Sequence, residues 1–595
     1  MPNTKDSTQD DPTIIVSDPT SASTPKAIDN ITTSTSTMSP PENPQQAENL
    51  DDSSQVYMTG ITLRLLILSV TLAVFLLLLD MSIIVTAIPQ ITTDFHSLVD
   101  IGWYGSAYNF SSAAFIPLAG RVYTSFKAKP TFICFLAVFA LGSMICGLAN
   151  SSNMLIAGRS LAGVGTSGLQ NGAITMVSYA VPLQKRPLII GVIMGIGQLG
   201  ILLGPLLGGA ITQYSTWRWC FYINLPALGV CVALLSFIRV PEKGRGRSTS
   251  GTRAESVIKM VLTQLDIPGF LMFAPAAIMF LLGLAFGGHE HPWNSATVIG
   301  LLIGGPALFI VFLIWERCQG DERAMFPLDM IAIREVWTSM LAGMFVIGAI
   351  VIIFAFYLPI YFQAVKGVSP FMSGLYVLPN IISSVICAMV SGVLASKLGY
   401  YVPWVVGSGA LCAVAAGLVS TFGPDTPVAK WVGYQILLGA RGAAFQMPMI
   451  AIQCVLPQDK LPVANALLIF AQTFGGAVFL TAAQVVFSSS LTTQLQDTGF
   501  SPARVQQIIL AGANGIRQVA TTERDLGLVV QAYSDSIDKV FYVGLAVSIG
   551  LFLSGWGMGW HDLRPKKSEG VLPESSSSGD EKTSSGRQEQ AGGQV

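Results

Sequence analysis

From about residue 61 onward the chain alternates between long apolar runs and short polar connections. The runs are close to 20 residues each, the length an α-helix needs to cross a bilayer. They fall at 64–88, 102–124, 130–150, 154–180, 188–212 and 219–239, then 266–287 and 297–315, and finally 337–362, 371–396, 402–422, 431–456, 463–487 and 540–560. The pattern predicts an all-α integral membrane protein of fourteen spans. The fifth run holds GVIMGIGQLGILLGPLLGG at 191–209, without a charge and with glycines recurring every three or four positions. On a helix that spacing gathers Gly195, Gly200, Gly204, Gly208 and Gly209 into faces that let another helix come close, while Pro205 removes one backbone donor and favours a bend. Gly195-x-Gly197-x-x-Gly200 fits a dinucleotide fingerprint by letter, but no strand precedes it and no acidic residue follows at the right distance, so a nucleotide site is not expected.

Composition agrees with the pattern. The 595 residues are 51% hydrophobic and only 11% charged, with mean hydropathy +0.58; an ordinary soluble domain carries about 25% charge. Residues 1–60 and 562–595 are rich in Ser, Thr, Gly, Pro and Glu and predict disordered tails. The N-terminal tail lacks the features of a cleaved signal, so the first span serves as insertion signal. The eight cysteines lie mostly in apolar runs with no CxxC pair and read as small buried hydrophobes. No cofactor, metal or nucleic-acid site is expected.

Charge placement orients the chain. Basic residues follow the even-numbered spans: Arg121, Lys127 and Lys129, then Lys185 and Arg186, then Lys243 to Lys259, then Arg317, Arg323 and Arg334. By the positive-inside rule both termini are cytoplasmic. The 488–539 connection is then external, and its periodicity predicts partial helix. A shift of 276 residues lays the fourth span on the twelfth, Gly163 on Gly439 and Gln170 on Gln446. Two parallel six-helix halves (61–240 and 331–561) flanking a basic loop and two inserted helices (241–330) follow from this, an arrangement used by transporters.

Polar residues inside the spans are the candidate site. A charge at mid-bilayer costs ~2.5–3.5 kcal/mol on insertion scales, so it is rarely idle. At 1.5 Å per residue, Asp80 lies ~12 Å, Asn109 ~10 Å and Arg159 ~8 Å from the outer ends of their spans. The three share one layer. A carboxylate and a guanidinium there could pair, either as a proton-exchanging couple or as a static structural bridge; Arg159 could also snorkel outward. Arg441 lies near the midplane, ~15 Å deep, with no evident acidic partner, and its repeat counterpart is Gly165. Gln170 and Gln446 lie deeper as a quasi-symmetric pair. The His289-Glu290-His291 triplet reads as solvated loop because metal-ligand spacing is absent. Asn150 opens a glycosylation sequon in a tight external turn.

With these residues in view the chain resembles the major facilitator superfamily, specifically its fourteen-helix drug:proton antiporter branch and within it the fungal toxin and multidrug efflux pumps. The likeness rests on LLDMSIIVTAIPQI at 78–91, GRVYTSFKAK at 120–129, AGRSLAGVG at 157–165, GILLGPLLGG at 200–209, WRWCFYINLP at 217–226 and YLPIYFQAVKGVSP at 357–370. Gly120, Arg121 and Lys129 keep the family's loop motif after the second helix. Thr124 and Ser125 replace an acidic and a basic position, so the charged latch of that loop is not expected in its usual form. The resemblance implies a monomeric, non-enzymatic exporter of small organic molecules across the plasma membrane, driven by protons. Rival readings are a vacuolar or plasma-membrane carrier of amino acids or iron chelates and a non-transporting nutrient sensor; disordered tails argue against the sensor.

Overall fold

Every apolar run becomes helix. The structure, a computed structural model, describes residues 57–96, 100–240, 265–288, 291–320, 323–520 and 522–564. Nearly all of both tails, the basic residues 243–259, and His289 with Glu290 lie outside the described residues. The described helices are α1 Gly60–Phe95, α2 Ile101–Ser125, α3 Ala128–Gly147, α4 Ser152–Ala180, α5 Arg186–Tyr214 and α6 Trp219–Ser236. After them come α7 Ile267–Phe286, α8 Ala296–Gln319, α9 Arg334–Ala364, α10 Pro370–Leu398 and α11 Val402–Val419. Next is α12, broken into Val428–Leu438, a 3₁₀ turn Gly439–Ala443 and Met447–Val455. α13 Leu461–Asp497 and α14 Glu523–Gly555 complete the set, with an outer helix Pro502–Val519 between them.

Caps were placed by the sequence. Ser151, Ser295, Ser369 and Thr522 accept the N–H three residues on and start α4, α8, α10 and α14; Asp266 does so for α7. Eleven helices among the described residues are long and apolar enough to cross a membrane. The other three, α2, α4 and α12, carry Asn109, Arg159 with Gln170, and Arg441 with Gln446, whereas Asp80 stands on α1, one of the eleven. α4 shows how they are accommodated: most of its length is buried by α2 and α3, so its polar side chains meet protein rather than lipid. Its glycines make this possible. A Cβ at Gly165 would stand 2.6 Å from the Phe139 amide nitrogen, and one at Gly163 would collide with the Tyr108 carbonyl. α8, by contrast, is the least enclosed span.

Helix pairing repeats with an offset of eight. α1 packs on α5, α2 on α4 and α3 on α6; α9 packs on α13, α10 on α12 and α11 on α14. The contacts that join the two groups also repeat, α5 on α10 and α13 on α2. α7 and α8 pack on each other, and α7 lies against α2 and α13, with Phe270 on Phe115 at 4.8 Å and Phe273 on Phe470 at 5.2 Å.

Three element boundaries differ from the sequence reading. α14 begins at Glu523 rather than near 540, because its first turns are amphipathic and project past the apolar stretch. α13 runs on to Asp497, which shortens the predicted external loop to the outer helix and its two turns. The tails are also shorter than predicted: Met58 N–H donates to Ala180 O at 2.9 Å and Leu563 N–H to Gly399 O at 2.8 Å. All eight cysteines are free, and Cys134 and Cys318 are exposed rather than buried.

Candidate functional site

Asp80 and Arg159 meet. An Arg159 Nη1–H donates to Asp80 Oδ2 at 2.5 Å, and each residue is 1% exposed. α1 supplies the carboxylate from near its middle and α4 the guanidinium from its first third. The pair is embedded in a wider set of donors. Asn224 of α6 donates to Asp80 Oδ1 at 2.8 Å and lies 3.3 Å from Ser143 Oγ of α3. Arg159 Nε donates to the Tyr104 carbonyl of α2 at 3.0 Å, and its guanidinium lies 4.3 Å from the centre of the Tyr108 ring. Tyr108 Oη and Thr166 Oγ1 share a 2.7 Å bond. Five helices of one half thus converge on one ion pair. Each member satisfies a desolvated charge that would otherwise be costly.

Asn224, Ser143, Tyr104 and Thr166 were not singled out from sequence. Asn224 stood inside the quoted WRWCFYINLP stretch, and a lone amide in an apolar span was the available signal. Asn109, placed in the same layer by depth, is half-buried and takes no part in the network's contacts.

The other half has no matching charge. The 276-residue shift lays Gln435 of α12 on Arg159, and Gln435 Nε2 donates to the Tyr376 carbonyl of α10 at 2.9 Å. Arg159 makes the same kind of bond to α2. Quasi-symmetry therefore keeps a side-chain N–H to carbonyl tie and leaves the ion pair in the first half.

A second feature lies between the halves. A narrow cleft, with room for a water-sized group in this conformation, is walled by Gln198 of α5, Val351 of α9, Ser384 and Val385 of α10, and Arg441 and Phe445 of α12. Arg441 sits in the 3₁₀ break of α12, and an Nη1–H donates to Asn380 Oδ1 of α10. Of the six polar residues predicted for coupling or substrate contact, Arg441 alone lines this cavity. Asp80 and Arg159 are sealed within their own half. Gln446 is buried and donates to the Ala388 carbonyl at 2.9 Å, tying α12 to α10. Gln170 is half-buried and does not line this cavity.

The conformational residues divide by position. Toward the ends that bear the basic loops, a Cβ at Gly120 would stand 2.7 Å from Ala466 Cβ of α13, one at Gly191 2.9 Å from Ala388 O, and one at Gly392 2.7 Å from Pro187 O. Gly195 faces Val385 Cγ1 at 3.3 Å by the same measure. Gly200, Gly204 and Gly208 instead face α1: a Cβ at Gly200 would stand 2.5 Å from Phe75 O, one at Gly208 2.7 Å from Ile83 O, and one at Gly204 would overlap Ser82 Oγ. Pro205 lies within this stretch of α5. Ser82 Oγ donates to Gly200 O at 3.2 Å and Gln90 Nε2 to Thr212 O at 2.7 Å. The glycine run is therefore not one sliding face between halves: its inner part meets α10, its outer part locks α5 to α1. Gly209 has open space beside it.

Arg121 is buried and bonded, and Thr124 Oγ1 donates to its carbonyl at 2.7 Å. Lys129 Nζ donates to Ile238 O at 2.7 Å and Ser236 O at 3.3 Å, closing the end of α6 with a positive charge. Asn150 is exposed at the α3–α4 turn, and His291 pairs with Gly287 in an isolated bridge. No metal-binding group of three or more His, Cys, Asp or Glu occurs among the described residues.

Comparison with known proteins matches residues 70–480 to the sequence model of the Major Facilitator Superfamily. The chain is 48% identical to the MFS-type transporter pigP of Monascus ruber over 85% of this chain and 88% of that one. It is 47% identical to the efflux pump mlcE of Penicillium citrinum over 89% and 97%, and 48% identical to the efflux pump mokI of Monascus pilosus over 84% and 92%. Among solved structures, the proton:xylose symporter XylE bound to 6-bromo-6-deoxy-D-glucose shares the fold with a TM-score of 0.53 at 13% identity, covering 84% of this chain and 97% of that one.

Proposed function

The chain belongs to the major facilitator superfamily, and from that premise we propose that this multi-pass membrane protein is a monomeric, proton-coupled exporter of small organic molecules at the plasma membrane. Fourteen crossings with both termini inside complete the reading. The efflux pumps that match most of its length support the direction of transport. The observation that carries the coupling is the buried Asp80–Arg159 pair. A carboxylate held this way exchanges its arginine for a proton when the surrounding helices part, because separation leaves a desolvated charge that protonation removes.

The helix arrangement supports alternating access. The glycines at which the halves touch, Gly120, Gly191, Gly195 and Gly392, all lie toward the ends that bear the basic loops, so the protein is closed on that side. Rocking about the central cavity would open it, with α5 fastened to α1 as part of one rigid half. The energy is adequate: one charge entering across 100 mV yields ~2.3 kcal/mol, and each pH unit adds ~1.4 kcal/mol.

The test is flux in vesicles containing the purified protein. An imposed proton gradient is expected to drive uptake in inside-out orientation, with a matching pH change, and Asp80→Asn is expected to abolish both. Gradient-independent equilibration would remove the coupling, and binding without flux would indicate a sensor.

A further inference from the structure

We propose that Arg441 makes the central cavity a receptor for substrates that carry a carboxylate or another anionic oxygen group. The inference rests on the export reading above and gives its substrate class.

The first observation is the sign of charge at the cavity wall. Arg441 is the one charged side chain among its lining residues. The intramembrane carboxylate named above, Asp80, is 1% exposed, holds Arg159 and Asn224, and is not among the residues that line the cavity. A substrate entering the space between the halves therefore meets positive charge without its counter-charge.

The second observation is how Arg441 is held. Its hydrogen-bond partner among the described residues is the neutral Asn380, through Nη1; Nε and Nη2 make no bond there. No carboxylate lies within ion-pair distance of it among the described residues. A guanidinium offers five N–H donors in a planar fork matched to the two oxygens of a carboxylate. An arginine used only as structural glue would be expected to spend those donors on the protein, as Arg159 and Arg186 do. Arg441 keeps most of them for something else.

The third observation is the backbone beneath it. α12 breaks into a 3₁₀ turn at Gly439–Ala443, and a Cβ at Gly442 would overlap the Ser384 carbonyl. The tight α10–α12 approach fixes the turn, and Asn380 on the same α10 orients the guanidinium. Ser408 Oγ takes up the Ala440 carbonyl at 2.9 Å. Broken helices at mid-membrane are tolerated where they line a cavity and present polar groups to a ligand. The rest of the wall, Val351, Val385 and Phe445 with Gln198 and Ser384, suits an apolar body with one or two hydrogen-bonding groups.

The probes are 1-naphthaleneacetic acid, its methyl ester and 1-naphthylethylamine, which share an apolar ring and differ in charge. Binding to the purified full chain is measured by titration calorimetry for wild type, Arg441→Gln and Arg441→Lys, each first shown to be monodisperse with an unchanged melting temperature. Wild type is expected to bind the acid at least about 10-fold tighter than the ester, the scale of a charge-assisted hydrogen bond, with the amine weakest. Arg441→Gln is expected to erase the preference, bringing the affinity for the acid down to that for the ester, and Arg441→Lys to keep part of it, since lysine retains charge but not the fork. Equal binding of acid and ester by wild type, no binding of the acid, or an equal loss for all three probes in Arg441→Gln would overturn the proposal. If either variant fails the folding criterion, the wild-type acid-to-ester ratio alone decides. Failure of the export reading is separable: it shows as absent flux with acid binding intact.

Discussion

Arg159 has no counter-charge among the described residues other than Asp80, and this makes the pair's energetics asymmetric. Removing one partner of a buried ion pair leaves an uncompensated charge and typically costs ~3–5 kcal/mol. Asp80→Asn is therefore expected to lose transport and also to lower the melting temperature, because Arg159 would remain buried beside Tyr104 and Tyr108. The double variant Asp80→Asn/Arg159→Gln is expected to recover most of that stability and none of the proton coupling. Melting in detergent and pH-jump flux separate the two effects; a double variant that melts as low as the single one would place the cost elsewhere. Asn224→Ala is a finer probe. It strips one donor from Asp80 Oδ1, so it is expected to cost about 1.5–3 kcal/mol, the range for a hydrogen bond to a charged group, read as a lower melting temperature in detergent. The Asp80–Arg159 contact was legible from sequence because intramembrane charges are few and depth follows from counting residues. Asn224 was not, since a lone amide in an apolar run, two residues before Pro226, carries no depth or partner signal of its own.

At the level of the element, α5 shows where residue spacing stops being informative. Recurrent glycines define faces on a helix but do not say which neighbour each face meets, and the structure divides them between α10 and α1. This yields a contrast within one helix. Gly204→Leu or Gly208→Leu would force a side chain into Ser82, Ile83 and Thr86 of α1 and is expected to stop transport and cost ~1–3 kcal/mol. Gly209→Leu meets open space and is expected to transport normally. Comparable loss at Gly209 would mean that flexibility, rather than the α1–α5 joint, is what these glycines provide. α12 sets a similar limit. Its hydropathy reads as one span, and only Gly439 and Gly442 on either side of Arg441 hint at the break, because a 3₁₀ turn differs from an α-turn by a shift in hydrogen bonding that leaves hydrophobic period almost unchanged. The polar start of α14 was missed for the converse reason, as hydropathy reports contact with lipid and not helix formation.

At the scale of the whole molecule, the question is what sets the balance between the closed inner end and an open one. Close glycine contacts between the halves are non-specific and would reform after each cycle. A directional bond stands among them: Arg186 Nη1 at the start of α5 donates to Gln453 Oε1 near the end of α12, at 3.1 Å, while its Nε and Nη2 hold Val181 O and Ser178 O on its own side. Gln453→Ala removes the bond across the halves and leaves Arg186 anchored. A hydrogen bond to a charged donor contributes about 1.5–3 kcal/mol, so the inner-open population is expected to rise ~10-fold or more. Gln453→Glu keeps the acceptor and adds opposite charge, and is expected to shift the balance the other way, toward closure, with slower turnover. Spin labels on the α5 and α12 inner ends, read as distance distributions in nanodiscs, would resolve both populations. The two variants must move them in opposite directions for the bond to act as the closing contact. A shift in the same direction for both would show that Gln453 acts through packing of its segment against α9 and α13, and that closure is held by the glycine contacts.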